Sequence, residues 1–219
     1  MGQIPKFTKE QKIILDLISK TEALTKDFYF TGGTALSEFY LHHRYSDDLD
    51  FFTDKKLDQQ LIFTLMSEWG DTHHFRFTSR FVQVVYRFEL TFPNKTLLKV
   101  DFGYFPYKRL EKGIRYQNLP VDSQRDIATN KITTINQRTE VKDFVDLYFL
   151  LKKYTIWDLL YCSEIKFKSL DIDIMLIAQD FLKTEDFKAL PRMIKPLTLE
   201  TVKRFFRVQA KTLAKKVTV

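Results

Sequence analysis

The stretch "FTGGTALSEFYLHHRYSDDLDFFT", residues 30–53, constrains this chain more than any other. Two adjacent glycines, Gly32 and Gly33, stand here in a sequence that holds only 6. Asp48 and Asp50 follow downstream, within an apolar run. The order reads as a short aromatic strand ending in glycine, a helix over "TALSEFYLHH", and a second strand over "DDLDFFT". Alternate side chains of a strand face opposite ways, so Leu49 and Phe51 point to one side and Asp48 and Asp50 to the other. Gly32, Gly33 and Thr34 put backbone N–H groups and a hydroxyl at a helix start, which suits an anion, and glycine lets a phosphate approach closely. Two carboxylates on one face repel each other unless a cation sits between them, and Mg²⁺ or Mn²⁺ takes oxygen ligands. Asp50 sits between Leu49 and Phe51, where an unpaired carboxylate is costly; that placement calls for a cation.

Residues 9–26 read as an amphipathic helix with Ile13, Ile14, Leu17, Ile18 and Leu24 near one face. A helix is expected over residues 58–68. "RFVQVVYRFELTF" and "TLLKVDFGYFPY" read as two strands joined by a turn at "PNK". In the second of these, Leu98, Val100 and Phe102 face the core, while Asp101 lies opposite with Lys99. Beyond Pro120 the pattern turns helical: "DSQRDIATNKITTINQR", "VKDFVDLYFLLKKY", and two or three more helices in "DIDIMLIAQDFLKTEDFKAL" and "TLETVKRFFRVQAKTLAKK". The expected fold is therefore α/β (α+β), a core with a mixed sheet over residues 1–120 followed by a helical region over 121–219.

The length of 219 residues, with 44% hydrophobic and 29% charged residues, is a globular composition, and 21 phenylalanines predict an aromatic core. No apolar run approaches the ~20 residues of a membrane-spanning helix. The amino-terminal stretch lacks a signal-peptide core, and Lys6 stands where myristoylation needs Ser or Thr. Cys162 is the single cysteine, which excludes an internal disulfide and makes the cytoplasm the expected compartment. Net charge is +7. It gathers at Lys203, Arg204, Arg207, Lys211, Lys215 and Lys216, and again at Lys108, Arg109, Lys112 and Arg115. Such clusters suit a polyanion such as RNA, and equally a solvated helix face.

"GGTALSEFYLHHRYSDDLDFF" resembles the first motif of the nucleotidyltransferase family of AbiEii and AbiGii toxins, within the DNA polymerase β-like nucleotidyltransferase superfamily. The resemblance matches Gly33 and Thr34 to a glycine–hydroxyl pair and Asp48 and Asp50 to two metal ligands; Arg44 and Ser46 stand as in the family's lead-in. "LLKVDFGYFPY" resembles the strand of the third carboxylate, which implies that role for Asp101. "DIATNKITTINQRTEVKDFVDLYFLL" resembles downstream helical motifs, implying a phosphate-facing Lys131 and a required Asp146, with Asp143 as a further candidate. Lys131 and Arg138 lie nearly one above the other on their helix, and Asp143 and Asp146 share a face. Asp47 precedes Asp48 directly, and the 48/50 register is preferred because 47/49 would need a carboxylate at Leu49. The resemblance covers residues 28–150.

It implies a metal-dependent nucleotidyltransferase using a nucleoside triphosphate, as the toxin of a toxin–antitoxin or phage-defence pair. The acceptor is expected to be RNA, the 3′ end of a tRNA included, with a cognate antitoxin as a further partner. Two alternatives stand: transfer to a small molecule or protein, and a catalytically silent module binding RNA or an antitoxin. His42–His43 and His73–His74 have no zinc spacing and read as surface or phosphate-contacting residues. Arg44 reads as a phosphate contact or a bridge to Asp47. Cys162 reads as inert packing.

Overall fold

The computed structural model describes residues 7–168 and 173–217. Lys6 and the start of "DIDIML" lie outside the described residues, as does the side chain of Lys216. Two compact units are formed by the chain, the first comprising Met1–Phe39, Ser46–Lys108 and Lys112–Ser123.

In the first unit, Thr8 and Gln11 form a capping box that starts α1 (Lys9–Lys20). Where the periodicity predicts one helix to residue 26, the helix breaks at Thr21, whose ψ is 101°, and α2 (Glu22–Thr25) resumes as a single turn. The Thr21 hydroxyl donates back to the Leu17 carbonyl, a local bond that competes with the helical ladder. β1 (Tyr29–Thr31) leads into α3 (Gly32–Leu36), continued by a π-helical turn over Ser37–Leu41. β2 (Leu49–Thr53) is followed by α4 (Gln59–His73), capped by the Asp58 side chain and longer than expected by a turn.

The segment expected as one strand over "RFVQVVYRFELTF" is a hairpin instead. β3 (Arg76–Val82) and β4 (Val85–Thr91) pair in register from Arg76↔Thr91 to Val82↔Val85. Its two-residue turn contains none of the usual turn residues; Gln83 takes the left-handed conformation with φ 55°. β5 (Leu97–Tyr104) follows after the expected turn, where Lys95 sits at φ 65°. The five strands form one sheet in the order β1-β2-β5-β4-β3, parallel only between β2 and β5. β6 (Arg115–Tyr116) and β7 (Leu119–Pro120) make a small ribbon.

Leu49, Phe51, Val100, Phe102 and Phe88 are fully buried, as the alternation in β2 and β5 requires. Phe51 stacks on Phe102 with ring centroids 5.4 Å apart, and Phe30 lies 5.3 Å from Phe51. Phenylalanine thus fills the core of the sheet, while the opposite face carries Asp50 and Asp101 beside the rings of Phe52 and Tyr29.

The second unit comprises Tyr40–Tyr45, Arg109–Glu111 and Gln124–Val219. Its helices are α5 (Gln124–Gln137), α6 (Val141–Leu150), α7 (Ile156–Lys166), α8 (Ile174–Leu182) and α9 (Leu199–Val217). Phe144 lies 5.4 Å from Phe206 and Phe181 4.9 Å from Phe206, an aromatic core of the same kind. On α9 Val202, Phe206, Ala210 and Leu213 are buried, while Arg204, Arg207, Lys211 and Lys215 are exposed. No described helix is long and apolar enough to cross a membrane.

Candidate active site

One row of residues crosses all five strands of the large sheet. Thr31 is the register partner of Asp50, Asp50 of Asp101, Asp101 of Arg87, and Arg87 of Arg80. Register partners share a face, so Asp50 and Asp101 project side by side. Asp101 is 5% exposed and Asp50 is half-buried.

Gly32 sits against this row at φ +76°, a conformation that L side chains rarely adopt. A Cβ built on Gly32 would lie 2.1 Å from Asp50 Oδ2 and 3.0 Å from the Asp50 Cβ. The Asp50 carboxylate therefore rests on a bare Cα, and no other residue type leaves it room. Thr34, two residues on, donates its hydroxyl to the Asp48 carbonyl. Gln11 of α1 donates to the carbonyls of Ser46 at 2.9 Å and Asp47 at 3.2 Å. These bonds hold the loop that delivers Asp48 to the start of β2.

Both outer carboxylates meet a side-chain cation. Asp48 accepts from Lys99 Nζ at 2.6 Å. Asp101 is gripped bidentately by Arg87, Nε to Oδ1 at 2.9 Å and Nη2 to Oδ2 at 2.8 Å. The hydrogen bond to Asp101, against some burial, holds the Arg87 guanidinium above its usual range, and the charge of Asp48 adds to this. The alternation that puts Lys99 on the face of Asp101 gives it no role by itself; a face with three acids needs counter-charge, and cross-strand partners are the place to seek it.

Among the described residues, no three His, Cys, Asp or Glu side chains are already drawn together as ligands. The donor set nevertheless suits a hard divalent cation: three carboxylates on one sheet face, offering oxygen alone, with side-chain cations against two of them. A groove of about 550 Å³ runs along the same unit, with Asp47, Asp48, Arg76, Thr78, Glu89 and Lys99 in its wall.

The second unit holds a different arrangement of charge. Asp146, fully buried on α6, accepts from Arg44 Nε at 2.6 Å and Nη2 at 2.9 Å, meets His43 Nε2 at 2.7 Å, and pairs with Lys131 Nζ at 2.7 Å. Asp143 accepts from Lys131 and from Arg138 Nε at 2.9 Å. Arg138 lies one residue past the end of α5 rather than on the helix with Lys131; both nonetheless reach Asp143, and Asp143 and Asp146 of α6 share the Lys131 ammonium. Burial would push Asp146 up, but the charges of Arg44 and Lys131 hold it well below the usual carboxylate range. Burial likewise works against the Lys131 ammonium, and Asp146 and Asp143 overcome it, so Lys131 stays charged.

Arg44 is thus bidentate on Asp146, a partner the sequence did not suggest. His43 departs from its expected surface placement. It is fully buried, and its ring lies 5.1 Å from that of Phe149; burial lowers its basicity despite the neighbouring Asp146. His73 closes α4, and His74 takes the left-handed position after it at φ 59°. Cys162 is a free thiol, half-buried, and its pKa is raised by burial.

The family described as nucleotidyl transferase AbiEii toxin, of type IV toxin–antitoxin systems, matches residues 16–216. The chain belongs to that family. This AbiEii nucleotidyltransferase is 32% identical to the uncharacterized protein aq_aa25 of Aquifex aeolicus, over 94% of this chain and 97% of that one. In structure it is similar to JHP933 from Helicobacter pylori, with TM-score 0.58, 20% identity, and 97% and 95% of the two chains covered. It is similar also to MenT4, a nucleotidyltransferase toxin from Mycobacterium tuberculosis, with TM-score 0.59, 16% identity, and 94% and 82% covered. At these identities the likeness speaks for the fold. The AbiEii chain has the expected α/β nucleotidyltransferase architecture, a five-stranded mixed sheet followed by helices.

Proposed function

We propose that this AbiEii chain transfers a nucleoside monophosphate from a nucleoside triphosphate to a hydroxyl of RNA, a tRNA 3′ end included. In this reading it acts in the cytoplasm as the toxin of a type IV toxin–antitoxin or phage-defence pair, opposed by a cognate antitoxin. The observation that supports it most is the seating of Asp50 on Gly32 with Asp101 as its register partner, because the pattern joins the double glycine to the acids in one geometric unit.

Asp48, Asp50 and Asp101 would hold Mg²⁺ or Mn²⁺, which supplies charge neutralisation at the triphosphate and a more acidic acceptor hydroxyl. The Gly33 and Thr34 backbone N–H groups face the triphosphate, while the Thr34 hydroxyl and Gln11 keep the Asp48 loop in place. Ser46 contributes its carbonyl to that clamp. Asp101, steadied by Arg87, orients the attacking oxygen. Lys131 of α5, Asp146 of α6 and Arg44 of the segment before β2 enter as a buried ionic unit that ties that segment to the two helices; the assignment of Lys131 to phosphate rests on the family resemblance. The exposed cations of α9 supply phosphate contacts to RNA.

The test is incubation with α-labelled nucleoside triphosphates and cellular RNA. Label is expected in RNA and is expected to fall at least 100-fold with Asp48→Ala or Asp50→Ala. Label in protein or small molecules alone would remove the RNA acceptor. Transfer and growth inhibition unchanged by Asp48→Ala would favour the silent binding module.

A further inference from the structure

Lys99 lies two residues before Asp101 on β5, on the same polar face of the sheet, and its ammonium is bonded to Asp48 at 2.6 Å. Both side chains are about equally open to water, at 29% exposure. Glu89 of β4 is directly opposite Lys99 in the ladder and therefore on the same face. The Glu89 carboxylate is 52% exposed and bonded to Arg80 at 2.8 Å through one oxygen, Oε1. Lys99, Asp48 and Glu89 all line the groove of about 550 Å³, so the lysine has room to turn between the two acids. Arg87 differs. It holds Asp101 through two parallel bonds, a planar grip with little freedom.

We propose that Lys99 is a displaceable internal counter-cation, a positioning residue that holds Asp48 until a divalent cation takes the carboxylate and the lysine turns to Glu89. This rests on the proposed metal role of Asp48. A lysine ammonium is a compact charge on a flexible four-carbon stem, suited to exchange between two acceptors across a strand. Holding Asp48 in this way offsets the repulsion among three acids before loading, and it sets how tightly the divalent cation binds, because each loading event breaks the Lys99–Asp48 pair. Glu89 accepts the released charge, so the face is never left with an unpaired ammonium.

The test measures Mn²⁺ binding to the full chain by isothermal titration calorimetry and by electron paramagnetic resonance. Lys99→Gln is expected to tighten Mn²⁺ binding about tenfold, Lys99→Arg to leave it within about threefold, and Glu89→Gln to weaken it several-fold. The carbon signal next to the Lys99 ammonium in a labelled sample is expected to shift as Mg²⁺ is added. Unchanged or weaker binding in Lys99→Gln overturns the proposal if Asp48→Ala abolishes Mn²⁺ binding in parallel. Wild-type chain that binds no Mn²⁺, or binding indifferent to Asp48→Ala, overturns the metal role of Asp48 and this proposal with it. A Lys99 signal unmoved at saturating Mg²⁺ also overturns it, without recourse to any variant.

Discussion

Gly32 and Asp50 are best understood as one object, because the carboxylate occupies the space a side chain on Gly32 would need. Gly32→Ala meets two penalties together: the strain of a non-glycine residue at φ +76° and the displacement of Asp50. The substitution is expected to cost ~1–3 kcal/mol in urea unfolding and to lower transfer activity as much as Asp50→Ala does. Thr34→Val is expected to keep the fold but loosen the Asp48 loop, lowering activity about tenfold while the unfolding midpoint moves little. The double glycine and the acid pair were legible from the sequence because both are local. The charge partners were not: Asp101 meets Arg87 and Asp146 meets Arg44 across strand pairing or long stretches of chain, and no spacing rule announces them. His43 is the plainest case, reading as half of a surface pair while lying buried against Asp146.

At the scale of elements, the strands that carry acids declare themselves through alternation, since Leu49 and Phe51 are buried and Asp50 turns away. The β3–β4 hairpin escaped because its turn has neither glycine nor asparagine to mark it. That turn carries a testable cost: Gln83→Gly relieves a left-handed residue and is expected to stabilise the chain by ~0.5–1 kcal/mol in urea unfolding. Helix α6 carries the opposite liability, with two buried carboxylates on one face. Asp146→Ala leaves Arg44 and Lys131 short of their shared partner and is expected to cost ~3–5 kcal/mol, the usual result of breaking a buried pair from one side. Loss of activity in that variant is therefore to be read only alongside its unfolding curve.

Acid response belongs to the molecule as a whole. Burial holds His43 below its ordinary value, so the unfolded chain binds a proton near pH 6.5 that the folded chain refuses. Stability is expected to decline as pH falls below about 6.5. Asp143 and Asp146 are held below their ordinary values by their cations, so the stability they supply is complete above about pH 4 and lost progressively below it. Urea midpoints recorded between pH 8 and pH 3 are expected to fall in these two stages, with the first flattened in His43→Gln. The path of the chain has a consequence of another kind. Residues 40–45 and 109–111 belong with the helices of Gln124–Val219, and they are tied there by Arg44 to Asp146 and by the Leu110 and Glu111 N–H groups to Asp126. A polypeptide woven this way has no point at which one cut leaves two self-sufficient halves. A single-breakpoint chimera that carries only Gln124–Val219 onto another transferase lacks residues 40–45 and 109–111, and with them the partners of Asp146 and Asp126.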